Sequence, residues 1–262
     1  MFTLYDEDYI AKAIKGEYSY HAGTTLNFIE KIMIKFLKVN MSIVYVIISV
    51  VSRLPIFSSL LESFARIYSQ DSIGYFLRGA YYKNKLKRMG KNVLIDRGVN
   101  VWYPQNVEID DYTHIDKDVK IEGSKHGFVK IGKYNHIANN VVLQGGGGLT
   151  IGDYVGIASG TLVYSASNLY EDPNKNSKEL LSMSAAAPPD KQYVAKKPVI
   201  IEDYAFLGLN VVVPPGIKIG RGAVIGAGAI VTKDIPPYGI AVGNPAKVIK
   251  ERPHEGNGQN TY

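Results

Sequence analysis

Cysteine is absent from the 262 residues, which excludes disulfides, thiolate metal sites and cysteine nucleophiles at once. Long apolar runs are missing too. The longest uncharged stretch, Val39 to Ser52 between Lys38 and Arg53, has 14 residues. That is short of the roughly 18 that suggest a spanning helix. The N-terminus, MFTLYDEDYI, is acidic and no apolar run follows it, so a secretory signal is not expected and a cytoplasmic setting is. The sequence displays no metal-ligand cluster, no phosphate-binding loop and no nucleic-acid motif, so neither a bound metal nor a nucleic-acid partner is expected.

What is present suits a sizeable core. The chain is 46% hydrophobic, enough for one main domain with an appendage. Its net charge of +6 suits a polyanionic ligand or an anionic surface without identifying either. Near the N-terminus Leu26, Ile29, Met33 and Phe36 recur at helical spacing, while Lys31, Lys35 and Lys38 form a separate basic stripe. Two readings follow: the apolar stripe packs on the rest of the protein, or residues 26–52 touch an anionic membrane surface peripherally.

The pattern changes near Gly90. Residues 1–90 read as mainly helical. From there to Arg252 aliphatic residues recur every six positions: Ile109, Ile115, Ile121, then Ile131, Ile137, Leu143, then Ile151, Ile157, Val163, then Ile201 through Val231 without a slip. A period of six fits neither a helix nor an alternating strand. It is the mark of a hexapeptide β-helix, in which three hexapeptides make one triangular coil and the aliphatic residue of each points inward. The breaks are an insertion of four after Ile121, one of two after Leu143, and a long excursion over 165–197. The excursion is polar and reads as a loop covering an active site, or else as a surface insertion. Residues 253–262 read as a polar tail.

The segment from Lys197 to Arg252 contains IGAGAIVTKDIPPYGIAVGNPAKVIK. It closely resembles the C-terminal half of the hexapeptide-repeat acetyltransferases, such as the galactoside and maltose acetyltransferases. The resemblance extends from about Val93 to Arg252. More weakly, the region before it is similar to that of sugar acetyltransferases of surface-polysaccharide pathways. The resemblance implies a left-handed parallel β-helix, where crossover rules alone predict a right-handed one. It also implies a homotrimer, acetyl-CoA held between neighbouring subunits, and a sugar or nucleotide-sugar acceptor. On this resemblance Gly208, Ala227 and Ala229 match positions that approach the pantetheine arm. Thr232, Lys233, Lys247, Lys250 and Arg252 sit where the CoA phosphates are met, and cationic side chains suit phosphate by charge and donor geometry. The acceptor pocket is matched by Asn140.

One position departs from the family. The related enzymes carry a histidine base at the end of a segment like LYTATH; here Val163 to Ser167 leads instead to Asn168. An amide cannot remove a proton from a sugar hydroxyl. Three readings stay open. Another histidine serves as base: His136 stacks with His114 on one corner of successive coils, while His126 shares the corner of Asn168, separated from it by a coil. Alternatively the acceptor is an amine, which needs no prior deprotonation, and Asn168 only orients it. Or the chain is a non-catalytic scaffold. An acidic pair of some relatives is replaced by Gly145-Gly146, which is expected to open space for a larger acceptor.

Overall fold

The computed structural model describes residues 5–6, 42–68, 72–173 and 180–254. The stripe from Leu26 to Lys38 and the tail beyond His254 lie outside the described residues. From Arg88 the chain winds into a parallel β-solenoid of about seven turns. Three parallel sheets run its length. Sheet A holds, among others, Val107–Ile109, Val129–Ile131, Leu149–Ile151 and Val199–Ile201. Sheet B starts at Leu94–Ile95 and passes through His114–Ile115, His136–Ile137, Gly156–Ile157, Phe206–Leu207 and Val224–Ile225 to the closing hairpin Gly239–Val242 and Lys247–Glu251. Sheet C holds Asn100–Trp102, Lys120–Glu122, Val142–Gln144, Leu162–Tyr164 and Val212–Val213.

The register is the sequence period made spatial. Ile115 pairs with Ile137, and Ile157 with Leu207, so each aliphatic residue lies on its counterpart one coil away. These inward residues form a single continuous core; Ile109, Ile115, Ile121 and Leu143 have no exposed surface. Strands of two or three residues suffice because each ends in a corner where the chain must turn. At the corner between sheets A and B that residue is Tyr112, Tyr134, Tyr154 or Tyr204, with φ between 56 and 60°. Left-handed φ is costly for a bulky residue. Here the rings compensate by stacking face to face, at 4.8 Å for Tyr112–Tyr134, 5.0 Å for Tyr134–Tyr154 and 4.9 Å for Tyr154–Tyr204. The Arg221 guanidinium caps the pile, 4.9 Å from the Tyr204 ring centre. Asp153 and Asp203, just before two of the tyrosines, accept backbone N–H groups from the preceding coil.

Every break in the period falls at one corner, between sheets C and A. The inserted residues after Ile121, the glycines after Gln144 and the excursion after Tyr164 all lie there. The stacked tyrosines hold the corner between A and B to a fixed length, so slack collects elsewhere. The expectation that Gly145-Gly146 opens space is overturned. Gly145 and Gly146 are buried. A Cβ on Gly145 would run into the Phe128 carbonyl, and one on Gly147 would meet the Lys197 amide at 2.6 Å. These glycines let three loops pack closely at one corner.

The first coil is covered by helices α1 (42–51), α2 (Pro55–Ile67) and α3 (Ser72–Lys85). Pro55 opens α2 at its first turn, where a missing N–H costs nothing. Arg78 of α3 is fully buried and binds the layers together. Its guanidinium donates to the Tyr68 carbonyl at 2.8 Å and the Ala65 carbonyl at 3.3 Å, at the C-terminal end of α2, and to the Ile95 carbonyl of the first coil at 2.7 Å. It thereby supplies donors that the helix end lacks. Tyr5 docks on the same seam: burial pushes its phenol well above the usual tyrosine range, and the hydroxyl donates to the Tyr75 carbonyl at 3.1 Å. Among the described residues no helix is long and apolar enough to cross a membrane.

Candidate active site

On the outward side of sheet B two imidazoles and a carboxylate gather. His114 and His136 are paired residues on adjacent strands, their ring centres 5.5 Å apart. They stand as the hexapeptide spacing predicts. Between them lies Asp116, which follows the inward-pointing Ile115. One carboxylate oxygen is 3.0 Å from His136 Nε2. The other is 3.3 Å from His114 Nε2, at an angle that makes no hydrogen bond. The three groups offer ligand atoms within 4.8 Å of one another, a grouping with metal-binding potential that the sequence spacing does not reveal.

The two imidazoles are tuned in opposite directions. Burial, the largest influence, pushes His114 below the ordinary histidine value, and the edge of Tyr75 closes over its ring. His114 is therefore harder to protonate than a free imidazole. For His136 the hydrogen bond that its Nε2–H donates to Asp116 outweighs partial burial and raises the pKa. The side chain of His136 is 59% exposed against 16% for His114, so of the pair it is His136 that a ligand can reach. With Nε2 held by the carboxylate, the neutral ring keeps its proton there and presents the Nδ1 lone pair. Which nitrogen carries the proton is inferred from this hydrogen bond.

From Asp116 a row of small residues runs along sheet B. Ala138, Ala158 and Gly226, each half-buried, occupy the same place on their strands, with the buried Gly208 between the last two: the amides of Ala138, Ala158 and Gly208 donate to the carbonyls of Ile157, Leu207 and Ile225. The row reaches the closing hairpin four strand steps from His136, roughly 19 Å at the usual strand spacing. The Lys247 and Lys250 side chains are exposed on that hairpin. A thin amide-bearing chain fits such a row, because small side chains let it approach the backbone closely.

The residues implied by the family resemblance distribute unevenly. Ala227, Thr232 and Lys233 are exposed. Gly208 is buried beneath Ala227, and Ala229 is enclosed in the core, so neither offers a side-chain surface to a ligand. The Arg252 guanidinium spends one donor on the Tyr204 carbonyl at 3.2 Å. Asn140 is the turning residue at the corner between sheets B and C, with φ 59°, a conformation asparagine tolerates better than most residues. Asn168 lies elsewhere. The excursion begins as an antiparallel hairpin, Ala166–Leu169 against Tyr193–Lys196, and Asn168 Nδ2 donates to the Met183 carbonyl at 2.9 Å. This hairpin leaves the corner between sheets C and A, opposite sheet B. His136 and the excursion therefore lie on opposite sides of one coil. His126 shares the excursion's corner, exposed and two coils from Asn168.

Asp116, Ala138 and Ala158 escaped sequence reasoning. The signal was the residue following each inward aliphatic position on sheet B, which becomes a row only once the insertions are assigned to a different corner.

A solenoid of three parallel sheets with a six-residue period defines the hexapeptide class of β-helices. The family described as the hexapeptide repeat of succinyl-transferase matches residues 198–233. A protein of Staphylococcus aureus (strain Mu50) with an acetyltransferase name is 37% identical over 123 residues, 47% of this chain and 55% of that one. A 2,3,4,5-tetrahydropyridine-2,6-dicarboxylate N-acetyltransferase of Staphylococcus aureus (strain JH9) is 52% identical over 54 residues, 21% of this chain and 23% of that one. The chain thus spans about half the length, or less, of these curated relatives. Among solved structures, a variant of AntD, an N-acyltransferase from Bacillus cereus in complex with dTDP-4-amino-4,6-dideoxyglucose and coenzyme A, is 29% identical. The match covers 66% of this chain and 87% of that one, with a TM-score of 0.58. Over these parts of its length the chain is similar to hexapeptide-repeat acetyltransferases, and its parallel β-solenoid is consistent with their left-handed β-helix.

Proposed function

We propose that this chain transfers an acetyl group from acetyl-CoA to an amino or hydroxyl group of a sugar, in the biosynthesis of a cell-surface polysaccharide. The observation that carries the reading is the row on sheet B. A paired imidazole and carboxylate stand at one end, exposed lysines at the other, and a strip of small residues joins them. The CoA thioester supplies an activated acyl carbon. The chain's own residues do the rest: Lys247 and Lys250 hold phosphate charge, the small residues admit the arm, and His136 receives the acceptor's proton. Asp116 keeps the His136 ring in one orientation and stabilises the imidazolium that forms, the role a carboxylate plays beside any catalytic histidine.

The likeness to AntD favours an amino sugar carried on a nucleotide as the first acceptor to try. A hydroxyl acceptor makes greater use of the base, since an alcohol must lose its proton during attack. His136 and the excursion lie on opposite sides of one coil, so a site using both takes the histidine from one copy and the excursion from its neighbour. This supports a homotrimer, and only monomer in sedimentation at micromolar concentration would count against it. The activity is tested by incubating the chain with acetyl-CoA and a panel including dTDP-4-amino-4,6-dideoxyglucose, maltose and a galactoside, following thiol release. Release dependent on acceptor is expected. No release with any member would leave the non-catalytic scaffold as the better reading.

A further inference from the structure

Helices on a globular surface normally turn their apolar stripe inward. In α1 and α2 the arrangement is reversed. The inward side of α2 carries Ser58, Glu62 and Ala65 with Leu61 as its one large apolar residue against the core, and Tyr81 donates to the Glu62 carboxylate at 3.0 Å. The outward side carries Ile56, Phe57, Leu60, Phe64 and Ile67, from 50 to 77% exposed. On α1, Ile43, Val46, Ile47 and Val50 are more than half exposed, while Ile48 is buried. The two helices meet at Arg53, so these side chains make one continuous apolar face. Monomeric proteins rarely expose a contiguous apolar patch beyond a few hundred Å².

The charge where the two helices meet is positive. Of the described lysines and arginines in 42–91, Arg78 is buried and Lys87 and Arg88 pair with Glu108 and Asp110, while Arg53 and Lys85 lie beside the face. Arg53 is exposed at the turn between the helices, and Lys85 reaches the same turn, donating to the Ser52 carbonyl at 2.7 Å. If a second copy covered the face about a two-fold axis, each cationic rim would meet its own like. A flat anionic surface meets both properties at once, apolar depth under the helices and negative charge at the rim. Any cyclic assembly also repeats the face on one side of the ring, where several copies reach one plane together.

From this geometry we infer that the outward face of α1 and α2 docks on an anionic lipid surface, with Phe57, Leu60 and Phe64 entering the headgroup boundary and Arg53 pairing with lipid phosphate. This is independent of the acyl-transfer reading and places the apolar contact on 43–67, C-terminal to the lysine stripe at 31–38.

The test is flotation of the full-length protein with vesicles of phosphatidylcholine containing 30% phosphatidylglycerol, and with phosphatidylcholine alone. Binding to the anionic vesicles is expected, at least tenfold above the neutral ones. Phe57→Ser/Leu60→Ser/Phe64→Ser should reduce partitioning by tenfold or more. These side chains already face solvent, so circular dichroism should be unchanged. Arg53→Gln should lower binding to anionic vesicles several-fold and leave the neutral ones unaffected. The inference is overturned if wild-type protein binds neither vesicle, or if the triple variant floats as well as wild type. It is equally overturned if the triple variant changes only the sedimentation mass in lipid-free buffer, which would assign the face to a second copy.

Discussion

If His136 is the proton acceptor, its loss and the loss of Asp116 should leave different kinetic signatures. A positioned general base is worth two to four powers of ten in rate, or about 3 to 5 kcal/mol of barrier. His136→Ala should therefore lower kcat about a hundredfold or more. Acetyl-CoA affinity should hold within about threefold, because the small-residue row and the hairpin lysines lie on other strands. Asp116→Asn keeps the shape and removes the charge. The hydrogen bond to the carboxylate is the largest influence raising the His136 pKa, with partial burial opposing it. Without the carboxylate, burial dominates and the pKa falls. The acid limb of the pH–rate profile should then move to lower pH, while kcat on the plateau drops about tenfold as the ring loses its fixed tautomer.

Stability should respond far less. A raised histidine pKa stabilises the fold below the unfolded value of 6.5, and that contribution disappears as pH rises through the folded value. With 59% of the His136 side chain exposed, the pair is worth only about 0.2 to 1 kcal/mol. His114, whose pKa burial lowers, works the other way, costing stability as pH falls below 6.5. The assay is steady-state thiol release from pH 5 to 9 with an amino and a hydroxyl sugar, alongside urea unfolding at pH 6 and 8. The reasoning would be refuted if His136→Ala stayed within threefold of wild type with every acceptor the protein uses, or if the Asp116→Asn limb did not move.

Arg78→Leu leaves the Ile95, Ala65 and Tyr68 carbonyls without their donor and should cost about 2 kcal/mol in denaturant unfolding, releasing the helices before the solenoid. Tyr154→Ala removes two stacking contacts and should cost about 1 to 3 kcal/mol; Tyr154→Gly should cost less, because glycine accepts the φ of 58° without strain, and thermal unfolding of both variants tests the order. Lys247→Ala/Lys250→Ala should weaken acetyl-CoA binding about tenfold and flatten its salt dependence, measurable by calorimetry at two ionic strengths.

The coil was legible because its cause is local: an inward aliphatic residue every six positions needs no knowledge of neighbouring turns. The stacking of His114 on His136 followed from the same count. What the count could not supply was which corner absorbs each insertion. Until the glycines after Gln144 and the segment after Ile121 are placed between sheets C and A, Asp116 cannot be seen to face His136 one coil away. The tyrosine pile was hidden similarly, its members separated by 22, 20 and 50 positions. The glycine run misled for another reason. A missing side chain reads as space in a sequence, but here backbone from two loops fills it. The helices were not legible in this respect, because no period in the sequence tells which side of α2 meets the solenoid; Ser58, Leu61 and Glu62 take that side.

The row on sheet B also works as a ruler. The His136 imidazole and the hairpin lysines are separated by a whole number of strands, so their distance can change only in steps of about 4.8 Å. Duplicating the coil from Gly148 to Gly160 onward, up to its next repeat, would move one end of the ruler by a single step. Both capped ends of the solenoid would stay as they are. A donor whose arm spans the native interval would then fall one notch short, and only a longer carrier would bring its acyl carbon level with the imidazole. In this fold, the choice of donor length is a matter of counting turns.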